Sequence, residues 1–190
     1  MKIIRGSDRI VLTLPSFGIV IKFAKIRLKD IVIDIILYLK DRRTWKTMLK
    51  FFKYHHCQVG GFKYYLFNGI ISNKLEYKLW RKTKHQILVP TIFSFFGLFN
   101  IQKFVQVPKD KTDADFWCQF NMIVRKKWLW HDSHAFSNFE NFTIETGKVQ
   151  FIDYGSKAVI GVVLQFGDLI YEKFDVTYIR KDRKQNPPST

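Results

Sequence analysis

The chain has little cysteine, little acid and no long uninterrupted apolar segment. Its 190 residues include 2 Cys, 16 Asp and Glu, and 32 Lys and Arg, which gives a net charge of +16. Cys57 and Cys118 have neither the spacing of metal ligands nor that of a disulfide framework, so they predict ordinary thiols in a reducing compartment. The excess of positive charge predicts an anionic partner, which is a nucleotide, a nucleic acid or an anionic membrane surface.

The apolar runs are short. The two longest, 31–39 and 88–98, are interrupted by Asp34 and Pro90, and both fall short of the ~20 residues that cross a bilayer. The first residues, MKIIRGSDR, contain a polar turn where a secretory signal needs an apolar segment. These features predict a cytoplasmic protein without a spanning helix, and the inner membrane surface is the alternative location.

Three short strands are predicted at the start of the chain. Residues 2–5, 9–14 and 18–23 are rich in β-forming residues and are separated by turn-forming residues. Lys22 lies inside the third, apolar strand. Two interpretations are open: the side chain extends to solvent at a sheet edge, or it points into a cleft and meets a phosphate and a carboxylate.

Helices are predicted next, over 28–56 and from Ser72 onward. The segment 43–56 is amphipathic and basic, so it either rests on an anionic membrane or packs on the core as an ordinary surface helix. Ser72 or Asn73 is available as the cap of the second helix. Glu76 on that helix has no cation three or four residues away, so it is either exposed to solvent or paired with Lys22.

The following residues predict two strands and two more helices. Residues 88–107 form two apolar strands around Gly97, and the polar break at Pro108 ends them. Thr112 begins a helix that runs to about Lys127. An apolar helix follows over 158–174, and the basic segment 180–190 has the composition of a disordered tail.

A hairpin is predicted between Asn141 and Asp153. The sequence NFTIETGKVQFID alternates on both sides of a turn at Gly147. The open ends of such an antiparallel pair lie within a few ångströms of each other, so Asn141 and Asp153 are expected to converge. Gly155 then allows the backbone to bend directly after the acid.

The order of these features resembles the protein-kinase-like superfamily, in the branch of small atypical members such as lipopolysaccharide, aminoglycoside and RIO-type kinases. The resemblance covers roughly residues 1 to 157. It is carried by the turn at Gly6-Ser7, Lys22, Glu76, the polar break after Val107, Asp132-Ser-His134, Asn141 and Asp153-Tyr-Gly155.

The resemblance implies a role for each of these residues. Asp132 is the catalytic carboxylate that orients or deprotonates an acceptor hydroxyl, and Asn141 and Asp153 hold Mg²⁺. ATP phosphates are contacted by Lys22, which Glu76 positions, and by the turn at Gly6 and Ser7. His134 packs beneath the catalytic loop, and Gly155 supports the metal-binding segment.

Some residues depart from the family pattern. The resembling families place the metal-binding Asn five residues after the catalytic Asp, where this chain has Ser137, so Asn138 is the alternative to Asn141. His131 directly precedes Asp132. No Gly-x-Gly-x-x-Gly loop is present, and few residues follow the hairpin.

The predicted protein has an α+β, protein-kinase-like, two-lobed fold. Residues 1–107 form an N-lobe with an antiparallel sheet and a helical insertion at about 28–66, and 108–179 form a reduced helical C-lobe. The predicted function is an ATP-dependent phosphotransferase that acts on a small or membrane-surface acceptor hydroxyl, such as a lipid or a saccharide. The alternative is a catalytically inactive pseudokinase or a basic binding module for an anionic surface. A nucleic-acid partner is not expected, since no recognised motif supports one.

Overall fold

The protein combines an antiparallel five-stranded sheet with a small hairpin and, in the part of the chain that the structure describes, four α-helices. The structure is a computed structural model, and it describes residues 1–6, 8–29, 32, 33, 36, 40, 62–109, 111–124, 129 and 132–178. The strands are β1 Lys2–Arg5, β2 Arg9–Leu14, β3 Ile19–Ala24, β4 Thr91–Phe95, β5 Phe99–Lys103, β6 Phe142–Thr143 and β7 Gln150–Phe151. The helices are α1 Phe62–Thr83, α2 Asp113–Val124, α3 Ser133–Ser137 and α4 Lys157–Lys173.

Several predictions fall on residues outside these ranges. They concern most of the predicted helix 28–56, including its basic amphipathic part 43–56, the tail 180–190 and Cys57. Ser7 and His131 also lie outside the described residues. Among the described helices, none is long and apolar enough to cross a membrane.

The large sheet has the strand order β1-β2-β3-β5-β4, so β3 is its central strand. The predicted strands near the N-terminus are confirmed to within one residue, because alternating β-branched residues and short turns specify both pairings. Gly18 and Gly97 close the β2–β3 and β4–β5 connections with φ of +63° and +80°, a conformation that favours glycine.

The chain divides into two compact units. The first contains Met1–Lys74 and Ile92–Gln102, and the second contains Leu75–Thr91 and Lys103–Thr190. The first unit therefore holds most of the sheet and the beginning of α1. The second unit holds the remaining helices and the β6–β7 hairpin.

In the first unit, polar side chains fill the buried side of the sheet. Lys22 on β3 and Asn100 and Gln102 on β5 are all buried, as is Asn73 on α1. Asn73 Nδ2 donates to the carbonyl oxygens of Lys22 at 3.1 Å and Gly97 at 3.0 Å, and Asn100 Nδ2 donates to the Asn73 carbonyl at 2.8 Å. These bonds attach α1 to the sheet.

The prediction that Ser72 or Asn73 caps this helix is wrong. The helix begins at Phe62, and both residues lie in its interior. Asn73 is used for tertiary hydrogen bonds instead of capping. The backbone departs from helical geometry at Phe67, with φ −113° and ψ 19°, inside the aromatic stretch where the sequence pattern is least helical.

The second unit is built around phenylalanine rings. Phe120 on α2 contacts five other phenylalanines with ring-centroid distances between 5.0 and 6.5 Å, and the partners are Phe116, Phe136, Phe142, Phe151 and Phe174. All six are buried. The cluster joins α2 and α3 to the hairpin and to the residue that ends α4.

Local capping fixes the ends of the second unit's helices. The backbone N–H and hydroxyl of Thr112 both donate to Asp115 Oδ2, and the Asp115 N–H donates to the Thr112 carbonyl oxygen at 3.1 Å, which confirms the predicted start of α2. Ser156 accepts a bond from the Val159 N–H at 3.1 Å and caps α4, which confirms the predicted apolar helix. Gly147, with φ +73°, forms the hairpin turn as expected.

Candidate functional site

The candidate site lies in the second unit, where the loop from Asp132 meets the hairpin. Asp132 is the N-cap of α3, and its Oδ1 accepts a hydrogen bond from the Ala135 N–H at 3.3 Å. Its side chain is partly exposed.

Asn141 connects this loop to the hairpin. Its Nδ2 donates to the Ala135 carbonyl oxygen at 3.1 Å. Its own carbonyl oxygen accepts from the Ile152 N–H at 2.7 Å and, with a longer contact of 3.5 Å, from the Asp153 N–H. The predicted convergence of Asn141 and Asp153 is confirmed for the backbone, and it is set by the pairing of Phe142 with Phe151.

A continuous series of hydrogen bonds therefore links the three predicted residues. It runs from the Asp132 carboxylate to Ala135, from Ala135 to Asn141, and from Asn141 to Asp153. Asp132 and Asn141 bind the two ends of the same residue, Ala135. The sequence indicated the three polar residues but gave no signal for Ala135, because its role depends only on backbone groups.

The Asp-Tyr-Gly segment is anchored by its tyrosine. Tyr154 is fully buried, its hydroxyl donates to the Val89 carbonyl oxygen at 2.8 Å, and it lies 2.6 Å from Thr91 Oγ1. Asp153, the residue before it, is partly exposed, and Gly155 is buried. Gly155 does not have a positive φ, so the backbone after Asp153 does not use the left-handed conformation that glycine permits. The segment instead leads directly to Ser156 and α4.

The structure distinguishes the two candidate asparagines. Asn138 caps the short 3₁₀ turn Phe139–Asn141, and its side-chain oxygen accepts from the Glu140 N–H at 3.0 Å. Asn141 instead uses its side-chain nitrogen in the bond to Ala135. A cation needs an amide oxygen, so the arrangement favours Asn141.

The expected packing of His134 beneath the loop is not found. The His134 side chain is exposed, and Phe136, two residues later, occupies the core. Ala135 also packs against this core and is partly buried. The apolar ring of Phe136 takes the core position in preference to the imidazole.

In the first unit, the edge-strand interpretation of Lys22 is wrong. Lys22 lies on the central strand and is 3% exposed. A buried ammonium is stable only when its charge is met by partners, and this side chain does make polar or electrostatic interactions.

The interpretation of Glu76 as a solvated side chain is also wrong, since it is fully buried. It lies on α1 in the second unit, one turn after Asn73, and it too has interaction partners. Burial of a carboxylate requires a partner of opposite charge or several hydrogen-bond donors. The pairing of Glu76 with Lys22 stays a prediction.

The turn between β1 and β2 is closed by its own contacts. The Gly6 N–H donates to the Arg9 carbonyl oxygen at 2.9 Å, and the Gly6 carbonyl accepts from Lys25 Nζ. Asp8 is held by Asn68 at 2.9 Å and by Arg27 at 3.4 Å. Both backbone groups of Gly6 are therefore engaged, and its expected role in cradling phosphates is not supported.

The donor set at the hairpin fits Mg²⁺. This ion prefers oxygen ligands and is commonly held by one or two carboxylates, with water and substrate phosphates completing the shell. Asn141 and Asp153 supply an amide oxygen and a carboxylate on adjacent, hydrogen-bonded backbone. Within the described ranges there is no cluster of three or more His, Cys, Asp or Glu side chains, so a metal held by protein groups alone is not indicated there.

A lowered carboxyl pKa is found away from this site. The Thr177 hydroxyl donates to Asp175 Oδ1 at 2.6 Å, and this bond, with that of the Thr177 N–H, holds the pKa of Asp175 below its ordinary value. Gln119 on α2 binds the backbone of Asp175 through both its amide nitrogen and its oxygen. These contacts attach the segment after α4 to the core and belong to the scaffold.

Comparison with known proteins assigns no family. No protein-family model, no curated protein and no solved structure matches this chain.

Proposed function

We propose that the protein is an ATP-dependent phosphotransferase of the kinase-like type. The observation that carries the proposal is the series of hydrogen bonds from Asp132 through Ala135 and Asn141 to Asp153. Phosphoryl transfer requires a carboxylate near the attacking hydroxyl, together with oxygen ligands for the metal that accompanies the phosphates. This series holds one such carboxylate and two such ligands on a single rigid segment.

Asp132 is the residue that receives the acceptor hydroxyl. One of its carboxylate oxygens accepts the Ala135 N–H, and an ionised carboxylate retains further acceptor capacity for a substrate O–H. The bond to Ala135 fixes the orientation of the carboxylate. In this role Asp132 orients the hydroxyl and accepts its proton as the phosphoryl group is transferred.

Asn141 and Asp153 would hold Mg²⁺, which neutralises charge on the phosphate oxygens when it is bound. Asn141 is positioned by its bond to Ala135, and Asp153 is positioned by the buried Tyr154 beside it. Because Tyr154 is buried in the core and Ala135 packs against the core, we expect the two ligands to be held in place without the metal. Such preorganisation lowers the cost of ordering the site.

Lys22 is assigned to the nucleotide phosphates, with Glu76 as its positioning partner. The third strand and the helix that follows it are the elements that carry these two residues in protein kinases, and here Lys22 lies on β3 and Glu76 on α1. The burial of both side chains supports the assignment, because a buried cation and a buried anion each need a counter-charge.

The acceptor is proposed to be a small or membrane-surface molecule, such as a lipid or a saccharide. The net charge of +16 favours an anionic acceptor.

A second candidate is an inactive, kinase-like binding module. The β1–β2 turn favours this candidate. The N–H and carbonyl groups of Gly6, which were predicted to lie at the phosphates, are already hydrogen-bonded to Arg9 and Lys25. Such a protein would use its basic surface for binding and would not turn over nucleotide.

Thermal unfolding with ATP tests the proposal. With ATP and Mg²⁺ at a hundredfold excess over Kd, the melting temperature should rise by roughly 5–10 °C, since ligand binding stabilises the folded state by about 2.7 kcal/mol. ATP with EDTA should give a much smaller shift. Release of labelled phosphate from ATP then separates the two candidates, because only the phosphotransferase turns nucleotide over. An unchanged melting temperature with ATP and either Mg²⁺ or Mn²⁺ would show that the protein does not bind the nucleotide and would refute the phosphotransferase proposal.

A further inference from the structure

The five-stranded sheet has its polar and apolar sides reversed. Alternate residues of a strand point to opposite faces, and the buried face ordinarily carries the apolar set. Here Asn100 and Gln102 of β5 are fully buried, whereas Phe99 and Ile101, which alternate with them, are partly exposed. On β3 Lys22 is buried together with Val20 on the same face, and Phe23, the neighbour of Lys22, is exposed.

Strand pairing defines the exposed face. The register places Ile3, Leu12 and Ile21 in one row across β1, β2 and β3, and Arg5, Ile10 and Phe23 in the next. Phe99 continues the second row, because its ring lies 5.8 Å from that of Phe23. We call this surface the apolar face, and its members are Ile3, Ile10, Leu12, Ile21, Phe23, Phe93, Phe95, Phe99 and Ile101.

The phenylalanines form one cluster on this face. Phe99 lies at its centre, with Phe93 at 6.0 Å and Phe95 at 5.6 Å between ring centroids. Phe93 and Phe95 are 43% and 45% exposed, and Phe96, in contact with Phe95, is 75% exposed. A contiguous exposed patch of this kind marks an interaction surface, whereas single exposed apolar residues do not.

The charges around the face identify its partner. The five strands contain no acid, and two of their cations alternate with the apolar residues: Arg5 follows Ile3 at the two-residue period of β1, and Lys103 follows Ile101 on β5. Both side chains are exposed. Exposed apolar groups bordered by cations are the combination that binds the interface of an anionic bilayer.

We propose that the apolar face docks on an anionic lipid membrane, with its phenylalanines in the interfacial layer and with Arg5 and Lys103 at the headgroups. A second copy of the chain fits less well, because the strands carry no acid to pair with the cations of a partner's face. Single-stranded nucleic acid also fits less well, since two cations on the face do not form the positively charged groove that follows a nucleic-acid backbone. The docking is independent of the phosphotransferase proposal, because it requires neither nucleotide nor catalysis.

Vesicle sedimentation of the full chain, without nucleotide, tests the docking. The wild type should sediment with phosphatidylcholine–phosphatidylserine vesicles, and its binding should fall with added salt because the headgroup attraction is screened. Phe93→Thr combined with Phe95→Thr should weaken binding at least tenfold, since two aromatic side chains leave the interface. The matched control is Met122→Gln with Leu164→Gln, which removes two equally exposed apolar side chains from the second unit and should leave binding unchanged.

Charge substitutions give a second comparison. Arg5→Gln with Lys103→Gln should reduce binding about fivefold for each cation removed. Lys78→Gln with Lys82→Gln removes the same charge from exposed positions on α1 and should have a smaller effect. Equal losses in the two pairs would mean that binding follows net charge alone and would overturn the docking face.

A measurement on the wild type removes any dependence on how the variants fold. Vesicles should slow amide hydrogen exchange in β1, β4 and β5 and leave α2 and α4 unchanged. The proposal is overturned if the sheet is not protected, or if the threonine variant sediments like the wild type. It is also overturned if the same variant abolishes a dimer in analytical ultracentrifugation or binding to a labelled oligonucleotide while vesicle binding persists.

Discussion

Asn141 donates its side-chain N–H to the carbonyl oxygen of Ala135 at 3.1 Å, and so connects the hairpin to the loop that begins at Asp132. The same Ala135 donates its N–H to the Asp132 carboxylate. The backbone of one alanine thus sets the relative positions of the Asp132 carboxylate and the Asn141 amide. The chemistry proposed for this protein depends on that arrangement.

Asp153→Asn is expected to abolish Mg²⁺-dependent nucleotide binding and turnover with little loss of stability. The substitution removes a metal-binding charge, and without metal it also relieves repulsion between acids in the site. Calorimetric titration with ATP and Mg²⁺ measures the effect. Glu172→Gln, which removes one charge from an exposed position on α4, is the control and should bind normally. An Asp153→Asn protein that turns over ATP like the wild type would refute the assigned role.

Asn141→Ala and Asn138→Ala are expected to lose similar stability but to differ in nucleotide affinity. Asn141→Ala loses the bond to the Ala135 carbonyl oxygen, and Asn138→Ala loses the bond from the Glu140 N–H, so each should cost about 1 kcal/mol of unfolding free energy. Only Asn141→Ala should lose nucleotide affinity, because only Asn141 has its oxygen uncommitted to a cap. Urea unfolding and nucleotide titration of the two variants measure both quantities. Loss of affinity in Asn138→Ala alone would transfer the metal role to that residue.

Lys22→Met and Glu76→Gln are expected to be strongly coupled in a double-mutant cycle. If the two side chains form a buried pair, each single substitution leaves an uncompensated charge and should cost about 3–5 kcal/mol. The double variant should then be more stable than the sum of the single effects predicts, by ~1 kcal/mol or more. Unfolding free energies from urea titration give the coupling. Additive losses would show that each residue has another partner.

Gly97→Ala is expected to destabilise the protein more than Gly147→Ala. Both glycines have positive φ, +80° and +73°, so both variants carry a similar conformational cost. A Cβ at residue 97 would lie 2.5 Å from the Ile70 carbonyl oxygen, whereas a Cβ at residue 147 would meet nothing within 4 Å. Thermal unfolding of the two variants measures the difference, which should exceed 1 kcal/mol. Equal melting temperatures would show that α1 can move away from the β4–β5 turn at little cost.

Thr177→Val is expected to raise the pKa of Asp175 toward its ordinary value. The Thr177 hydroxyl bond favours the ionised carboxylate, so the pKa of Asp175 is lower in the folded state than in the unfolded chain. Its contribution to stability is therefore present above the unfolded pKa and is lost as the pH falls through the folded pKa. NMR titration of the Asp175 carboxyl carbon in both proteins measures the shift. An unchanged titration in Thr177→Val would assign the shift to backbone amides.

The sequence predicted the strands of the large sheet and the hairpin well, because alternation and turn residues specify them locally. It also indicated that Asn141 and Asp153 converge, since hairpin geometry depends on few residues. It failed at α1, whose first turns are aromatic and whose Asn73 is held by tertiary bonds. It did not indicate that Phe136, and not His134, occupies the core. It also did not indicate that the backbone groups of Gly6 are bonded to Arg9 and Lys25. No local pattern contains that information.

The hairpin that carries the candidate site is too short to be stable by itself. Its strands contain two residues each, and isolated two-stranded hairpins are marginal in water. Phe142 and Phe151, paired directly across it, both contact Phe120 in the core. We therefore expect the hairpin to separate, and the proposed ligands Asn141 and Asp153 to be displaced, only when the ring cluster opens. Any loosening of that cluster lowers the population of the binding-competent form, so core substitutions remote from Asp153 would weaken apparent ligand affinity without touching a ligand.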